Sequence, residues 1–416
     1  MLRRAFVLLL GTLALAGCGG GYRYGPSGYG GAPVTLGGGA PGGGPAGHRV
    51  AILLPLSGAR ADIGQALLPG AQLALDGPDA PPLDVKDTGG TPDGAAAAAK
   101  AAIADGAGLI LGPLTSAETA AVAPIARAAN VAVLAFTNDP SQAQPGVWTL
   151  GITPGQQVRR LVAAAQSQGK SQFAALLPDS DFGHVMGQAL TQAAASNGAA
   201  APTIRFYSPG MSAINAATRE VSDYADRRGP IDARMRAARA QGTPEGRHEA
   251  QELAKSAIPP PPFSALLLAD TGEALAEVAS LLPYYDVDRS AVQILGPALW
   301  ASSASGSGQF PGAWYAAPDP AARANFAQAY SAKSGSDPSP IADLAYDAAS
   351  IARALGRQGF SVAALTQPAG FIGADGWFAL LSDGQVRRAL AVFGIERGGG
   401  AQMVEPAPSS GNLPGA

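Results

Sequence analysis

From Val50 onward the chain alternates short, continuously apolar runs with longer segments whose apolar residues recur at helical spacing. Strands that are apolar on both sides need cover on both sides, so the pattern calls for parallel sheets sandwiched between helices, an α/β fold. Val50-Ala-Ile-Leu-Leu-Pro-Leu reads as a buried strand, and Asp62 to Asp76 as a helix with Ile63, Ala66, Leu67, Gly70, Ala71 and Ala74 on one side. Pro69 inside that helix predicts a kink or a late start. Leu83 to Lys86 is the next strand, Ala95 to Ala104 the next helix, and Val131 to Thr137 and Trp148 to Ile152 are further strands.

A second α/β unit begins near Thr153. Gly155 to Gln168 reads as a helix closed by Gly169, Phe173 to Pro178 as a strand, Phe182 to Asn197 as a helix closed by Gly198, and Ile204 to Tyr207 as a strand. Phe263 to Ala269, Val292 to Leu295 and Trp314 to Ala316 continue the strands, with a helix at Glu273 to Leu282. Helices at Pro320 to Lys333 and Pro340 to Leu355 and a last strand at Arg388 to Ile395 complete the series. Arg219 to Lys255 breaks the rhythm. It holds 8 basic and 7 acidic residues, 15 of the chain's 59 charges, which places it on the outside as a helical insertion, either a solvated face or a partner-docking surface. Gly19 to Gly47 is too poor in apolar bulk to fold and reads as a flexible tether, and residues 398–416 read as a disordered tail.

Composition and short motifs exclude several functions. A formal charge of -3 without a basic run gives no footprint for nucleic acid. One cysteine forbids an intramolecular disulfide, and three scattered histidines, His48, His184 and His248, give no metal site and no triad. Ser167-Gln-Gly-Lys170 fits S-x-x-K, but Ser167 ends a helix where a nucleophile of that motif opens one. Gly169-Lys-Ser171 follows a helix and precedes a strand, the reverse of a phosphate-binding loop. Asp181-Phe-Gly183 stands without the other kinase motifs and reads as a helix cap. No catalytic residue, metal or cofactor is called for, and the chain is expected not to be an enzyme.

Gly108 to Ala126 is the stretch around which a site could form. A short strand, a Gly-Pro turn and a helix with hydroxyls in its first turn leave backbone N–H groups converging beside the positive end of the helix dipole. That spot can hold a carboxylate or phosphate. The spacing from Thr115 to Glu118 is equally that of a capping box, which satisfies the same donors without a ligand.

The N-terminus is a signal segment. Arg3 and Arg4 precede an apolar run from Ala5 to Leu15, too short to span a bilayer, and Leu15-Ala-Gly-Cys18 resembles the lipobox of bacterial lipoproteins. That resemblance implies lipidation of Cys18 and, with Gly19 after it, an outer-membrane anchor facing the periplasm.

Val50-Ala-Ile-Leu-Leu-Pro-Leu-Ser-Gly58, Ile63-Gly-Gln-Ala66, Gly70-Ala-Gln-Leu-Ala-Leu75, Gly112-Pro-Leu-Thr-Ser116 and Ala123-Pro-Ile-Ala126 look like the N-lobe of type I periplasmic binding proteins of the Leu/Ile/Val-binding class. The likeness extends from Arg49 to Arg397. It implies two doubly wound parallel-sheet lobes joined by crossover strands, one at about 48–150 and 320–366, the other at about 153–317 and 377–397, with ligand in the cleft between them. Carried over, the cleft takes in Ser57, Thr115, Ser116, Thr137 and Asp270, with Ser116 and Thr137 matching the groups that hold a ligand carboxylate. In the place of the second-lobe acid that holds the ammonium stands Ala298, for which Asp270 or Glu273 is the available substitute. Leu281-Leu-Pro-Tyr-Tyr-Asp286, Leu295-Gly-Pro-Ala-Leu-Trp300, Ala313-Trp-Tyr-Ala-Ala-Pro318 and Leu344-Ala-Tyr-Asp-Ala348 resemble the penicillin-binding protein activators, lipoproteins that share this fold. Two functions follow from these resemblances: a regulator that contacts a peptidoglycan synthase, or a lipid-anchored substrate-binding protein that delivers an amino acid to an ABC permease.

Overall fold

The structure, a computed structural model, describes residues 48–303, 310–398 and 400–408. The expected signal segment, Cys18 and the expected tether lie outside them. Strands β1 (Arg49–Leu54), β2 (Leu83–Asp87), β3 (Ala107–Leu111), β4 (Ala132–Ala135) and β5 (Val147–Thr149) form an all-parallel sheet in the order β2-β1-β3-β4-β5. Helices α1 (Ala61–Ala74), α2 (Pro92–Ala104) and α3 (Ser116–Ala128) connect them. The alternation inside β1 shows why its run is continuous: Val50, Ile52 and Leu54 face α1, while Ala51 and Leu53 face α2 and α3. α1 starts at Ala61 and runs through Pro69 without ending.

The second sheet is built by α4 (Pro154–Ser167), β6 (Phe173–Pro178), α5 (Asp181–Ser196), β7 (Thr203–Tyr207), α6 (Met211–Val221), α7 (Tyr224–Ala240), α8 (Pro244–Ala254), β8 (Ala265–Leu268), α9 (Gly272–Tyr284), β9 (Gln293–Gly296), the short α10 (Trp300–Ser303) and β10 (Trp314–Ala317). α4 and α5 cover one face through Val158, Leu161, Met186 and Leu190, and α6 and α9 the other through Ile214, Val221, Val278 and Leu282. The charged insertion is the α7–α8 pair, held down by the buried Arg227. Its guanidinium donates to the carbonyls of Pro259 (2.6 Å), Ser222 (2.9 Å), Tyr285 (3.1 Å) and Asp286 (2.9 Å).

The chain then returns to the first lobe. α11 (Pro320–Ser334) and α12 (Ala342–Leu355) pack on α1, and Gly70 is required there because a Cβ would come within 2.5 Å of the Ala342 carbonyl oxygen. After α13 (Val362–Leu365) come β11 (Phe371–Gly373), β12 (Gly376–Leu380) and β13 (Val386–Arg388), a three-stranded antiparallel sheet. β14 (Ala391–Ile395) and β15 (Ala401–Glu405) then add antiparallel strands to the second sheet, whose order is β15-β14-β10-β9-β8-β6-β7. The chain thus passes between the two lobes three times, after β5, after β10 and after β13.

Three expectations need correction here. The last strand, expected as one run from Arg388 to Ile395, is two strands in different sheets, because Arg388 is drawn into the first lobe by its ionic partner. The segment from Trp377 to Arg388, expected in the second lobe, packs with the first: Phe378, Leu380 and Val386 join its core, with Trp377 and Ala379 on the opposite, period-two face. The described part of the tail is not loop but the edge strand β15, entered by a turn in which the Glu396 N–H bonds to the Gly400 carbonyl. Residues 409–416 lie outside the described set.

One ionic cluster is buried where α12 meets β11–β13. Arg388 Nη1 donates to Asp347 Oδ2 (3.0 Å), Ala374 N to Asp347 Oδ1 (2.6 Å), and Arg323 grips Asp343 with two donors (2.5 and 2.8 Å). Asp375 completes it. Burial, opposed by Arg388 and reinforced by Asp347 and Asp343, pushes its pKa up to about 8, so at neutral pH it is the protonated member and bonds to Asp343. A carboxyl whose folded pKa exceeds its unfolded value holds an extra proton in the fold. Its stabilising contribution is therefore full below the ordinary Asp pKa, declines by about 1.4 kcal/mol per pH unit as pH rises towards 8, and is flat above. Asp375→Asn keeps the hydrogen bond without the proton. The variant is expected to gain stability over the parent steadily from pH 5 to pH 8 and no further above, as read by urea unfolding at each pH.

Candidate functional site

Both large sheets direct the C-termini of their parallel strands and the following helix N-termini to loops that in open α/β folds line a ligand cleft. In the first lobe β3 runs into Gly112, at φ +85, where a Cβ would lie 2.4 Å from the Leu53 carbonyl oxygen. The chain then enters α3 through the expected capping box. Thr115 Oγ1 accepts from Glu118 N (3.3 Å), and Glu118 Oε2 accepts from Thr115 N (3.0 Å) and Thr115 Oγ1 (2.8 Å). Thr88 Oγ1 donates to the other oxygen, Glu118 Oε1 (2.6 Å), so Thr115 is committed to a closed internal network.

Ser116, one residue on, faces elsewhere. Its hydroxyl lies 3.2 Å from Thr137 Oγ1 and donates to Asp139 Oδ2 at 2.6 Å. Asp139 Oδ1 accepts from Ser141 N (2.9 Å) and Asp139 N donates to Thr137 Oγ1 (3.1 Å). The structure therefore brings Ser116 and Thr137 together and adds an internal carboxylate to them. Burial raises the Asp139 pKa, but the hydrogen bonds from Ser116 and Ser141 outweigh it and hold the group below the usual Asp range. Ser57 is turned to a different acid: with the N–H groups of Leu56 (2.8 Å), Ser57 (3.2 Å) and Gly89 (2.8 Å) it binds Asp87, whose pKa is lowered by the Ser57 hydroxyl first.

In the second lobe Asp270 follows β8. Its Oδ2 accepts from Tyr207 Oη (2.7 Å) and its Oδ1 from Thr271 N (2.8 Å), while its carbonyl accepts from Trp300 Nε1 (2.9 Å). Burial, and then Asp270 itself, push the Tyr207 phenol far above its ordinary range. Trp300 lies against Gly296, where a Cβ would come within 2.2 Å of the indole. Ala298 offers only its N–H, which donates to Gln157 Oε1 (2.7 Å). Glu273 is exposed on the first turn of α9. Asp139, Asp87, Tyr207 and Gln157 were not anticipated. The one legible signal was Asn138-Asp-Pro-Ser141, a turn-forming sequence in which Asp accepts from the residue two places on.

A family model for periplasmic binding proteins matches residues 48–400. The chain belongs to the periplasmic binding protein family. A curated relative, an uncharacterized protein of Rickettsia prowazekii (strain Madrid E), is 25% identical over 43% of this chain and 48% of its own, so the chain spans about half of that relative. Among solved structures, a Rhodospirillum rubrum protein described provisionally as a branched-chain amino acid ABC transporter has TM-score 0.63 at 21% identity, over 86% of this chain and 99% of that one. The C-domain of LpoA from Haemophilus influenzae, a regulator of PBP1A, has TM-score 0.60 at 18% identity, over 86% and 99%. Full-length LpoA from the same organism has TM-score 0.62 at 18% identity, over 88% of this chain and 59% of that one. At these identities the likeness establishes a type I periplasmic binding protein fold and no ligand. Among the described residues no group of acidic, His or Cys side chains could hold a metal, and no helix is long and apolar enough to cross a membrane.

The bonds around Asp139 set a testable acid limit. A carboxylate with a depressed folded pKa contributes stability above the unfolded Asp value, and that contribution is lost as pH falls through the folded pKa. Ser116→Ala removes the shortest of these bonds and leaves the burial. The Asp139 carboxyl, followed by NMR, is expected to titrate at higher pH in the variant, and acid unfolding to begin at correspondingly higher pH.

Proposed function

We propose that this family member is a non-enzymatic envelope lipoprotein that regulates a penicillin-binding peptidoglycan synthase through protein contact. One observation carries the reading: the Ser116–Thr137 cradle is already filled by Asp139. A ligand carboxylate placed on Ser116 would meet an ionised carboxylate accepting the same proton, and like charges at hydrogen-bond range disfavour each other strongly. The opposite pole is also missing, since Ala298 supplies no acid for an ammonium and its N–H is bound to Gln157. A buried ammonium without an acidic partner costs several kcal/mol.

The fold shared with the LpoA C-domain is in keeping with this reading, as is the N-terminal sequence. Lipid on Cys18 would anchor the chain, with the outer membrane as its site. A Gly-rich coil of the length of residues 19–47 spans on the order of 30 Å on average, which gives the folded part lateral reach into the periplasm. The alternative, a substrate-binding lipoprotein of an ABC permease for branched-chain or related amino acids, is favoured by the 3.2 Å approach of the Ser116 and Thr137 hydroxyls.

Isothermal titration separates the two. Leucine, isoleucine, valine and serine are expected to give no saturable heat with the parent protein at millimolar concentration, and a pull-down from envelope extract to recover a peptidoglycan synthase without permease subunits. Tight binding of any of these amino acids, abolished by Ser116→Ala, would remove the regulator reading.

A further inference from the structure

Four arginines stand where α4 of the second lobe meets the chain returning from the first, and they are used very differently. Arg160 donates to Leu390 O (2.7 Å), Glu405 Oε1 (2.9 Å) and Pro406 O (3.1 Å), and Arg388 to Asp347 (3.0 Å) and Leu150 O (3.0 Å). Arg159 and Arg387 make no hydrogen bond and no ion pair with any described residue. Both are half-buried. Arg387 pairs with Ala379 in the β12–β13 register, which puts it on the sheet face carrying Trp377 and Ala389, away from Asp347. Arg159 folds back along the first turn of α4, its Nη1 3.6 Å from where a Cβ on Gly155 would sit.

Gln156 Nε2, on that same first turn, donates to the Val386 carbonyl, which brings the start of β13 and Arg387 to the turn along which Arg159 folds back. Burial first, and then the charge of Arg387, lower the Arg159 pKa, with Asp383 acting in the other direction. Asp383 does not neutralise the pair by contact, because its Oδ1 accepts from Gln385 N at 2.9 Å and neither arginine bonds to it. The positive end of α4 lies beside Arg159 and adds to the excess. Repelling cations that retain all their donors are an unfavourable arrangement for a protein on its own and a favourable one for an oxyanion, which accepts from both planar forks at once.

We propose that Arg159 and Arg387 form a binding site for a small tetrahedral oxyanion of the phosphate class, bridging the two lobes at their connection. α4 packs in the core of the second lobe through Val158 and Leu161, and β13 in that of the first through Val386. An anion held between their arginines removes a repulsion that acts across the connection and draws the lobes together at this point. The site is independent of the cleft: Gln157, two residues earlier on α4, bonds to Ala298, and Arg159 lies back along the first turn of α4.

The full chain, prepared without phosphate, tests this by its thermal midpoint against sodium phosphate, with ionic strength held constant by sodium chloride. The parent is expected to show a saturable rise by about 50 mM, with slowed hydrogen exchange at residues 154–160 and 386–390. Arg387→Gln is expected to leave the phosphate-free midpoint unchanged or higher, through relief of repulsion, and to weaken the apparent phosphate affinity at least about tenfold. Arg159→Gln should do the same, and Lys100→Gln, on the outer face of α2, should leave the response intact. Absence of a saturable rise in the parent overturns the proposal, as does a rise that Arg387→Gln retains.

Discussion

Arg388 is the side chain on which the junction of the two lobes depends. It lies at the end of β13, fully buried, with one donor on Asp347 of α12 and two on the carbonyl of Leu150, where the first crossing between lobes begins. Its guanidinium also stacks over Phe378, 4.9 Å from the ring centre. A buried charge is tolerated only when paired and hydrogen-bonded, and loss of one partner strands the other at a cost of roughly 3–5 kcal/mol. The position of β13, the start of the first crossing and the seat of α12 are therefore fixed as one unit. The split of the expected last strand follows directly, since the residue that begins it is held in the first lobe.

The elements legible in the sequence were those whose pattern is enforced by burial. β1, β3, β6 and β8 are covered on both faces, so each is an unbroken apolar run that nothing else explains, and the cap at Thr115 announces its helix by local chemistry, whereas the cap of α5 is Ser180 and not the expected Asp181, which is the first helical residue. The β11–β13 sheet was missed for the converse reason. Its strands are short and antiparallel, with one face in the core and one under other cover, and Trp377-Phe-Ala-Leu-Leu381 hides a period of two inside an apolar string. β15 was missed because its Gly-rich approach looks like the start of a tail, whereas Gly400, at φ +89, closes the turn into an edge strand by accepting from Glu396 N.

The site was legible at the level of residue types and not of partners. Ser116 and Thr137 are adjacent, but whether a hydroxyl awaits a ligand or serves its own chain depends on the third group, and Asp139 is placed by a turn rather than by periodicity. The polar groups of Thr115, Ser57 and Asp270 are engaged internally, by Glu118, Asp87 and Tyr207. Side-chain oxygens at strand ends are called on by the backbone of the loops they sit in, and that local demand is satisfied first.

The same economy bears on motion between the lobes. A protein that closes on a ligand needs crossings free to twist, with the free energy of closure supplied by ligand contacts made only in the closed state. Here the crossings are tied by side chains: Arg388 to Leu150, Arg160 to Leu390 and to β15, Gln156 to the carbonyl of Val386, and Trp148 Nε1 to that of Leu381 at 2.6 Å. Breaking any one leaves a buried polar group unsatisfied, about 1–3 kcal/mol each and more where the group is charged. On the reading proposed above, with Asp139 on the Ser116 hydroxyl, few ligand contacts are available to offset that cost. A fixed arrangement of two lobes is in keeping with the regulator proposed above, and Arg159 and Arg387, without an ion pair among the described residues, mark a point of the junction where charge works against it.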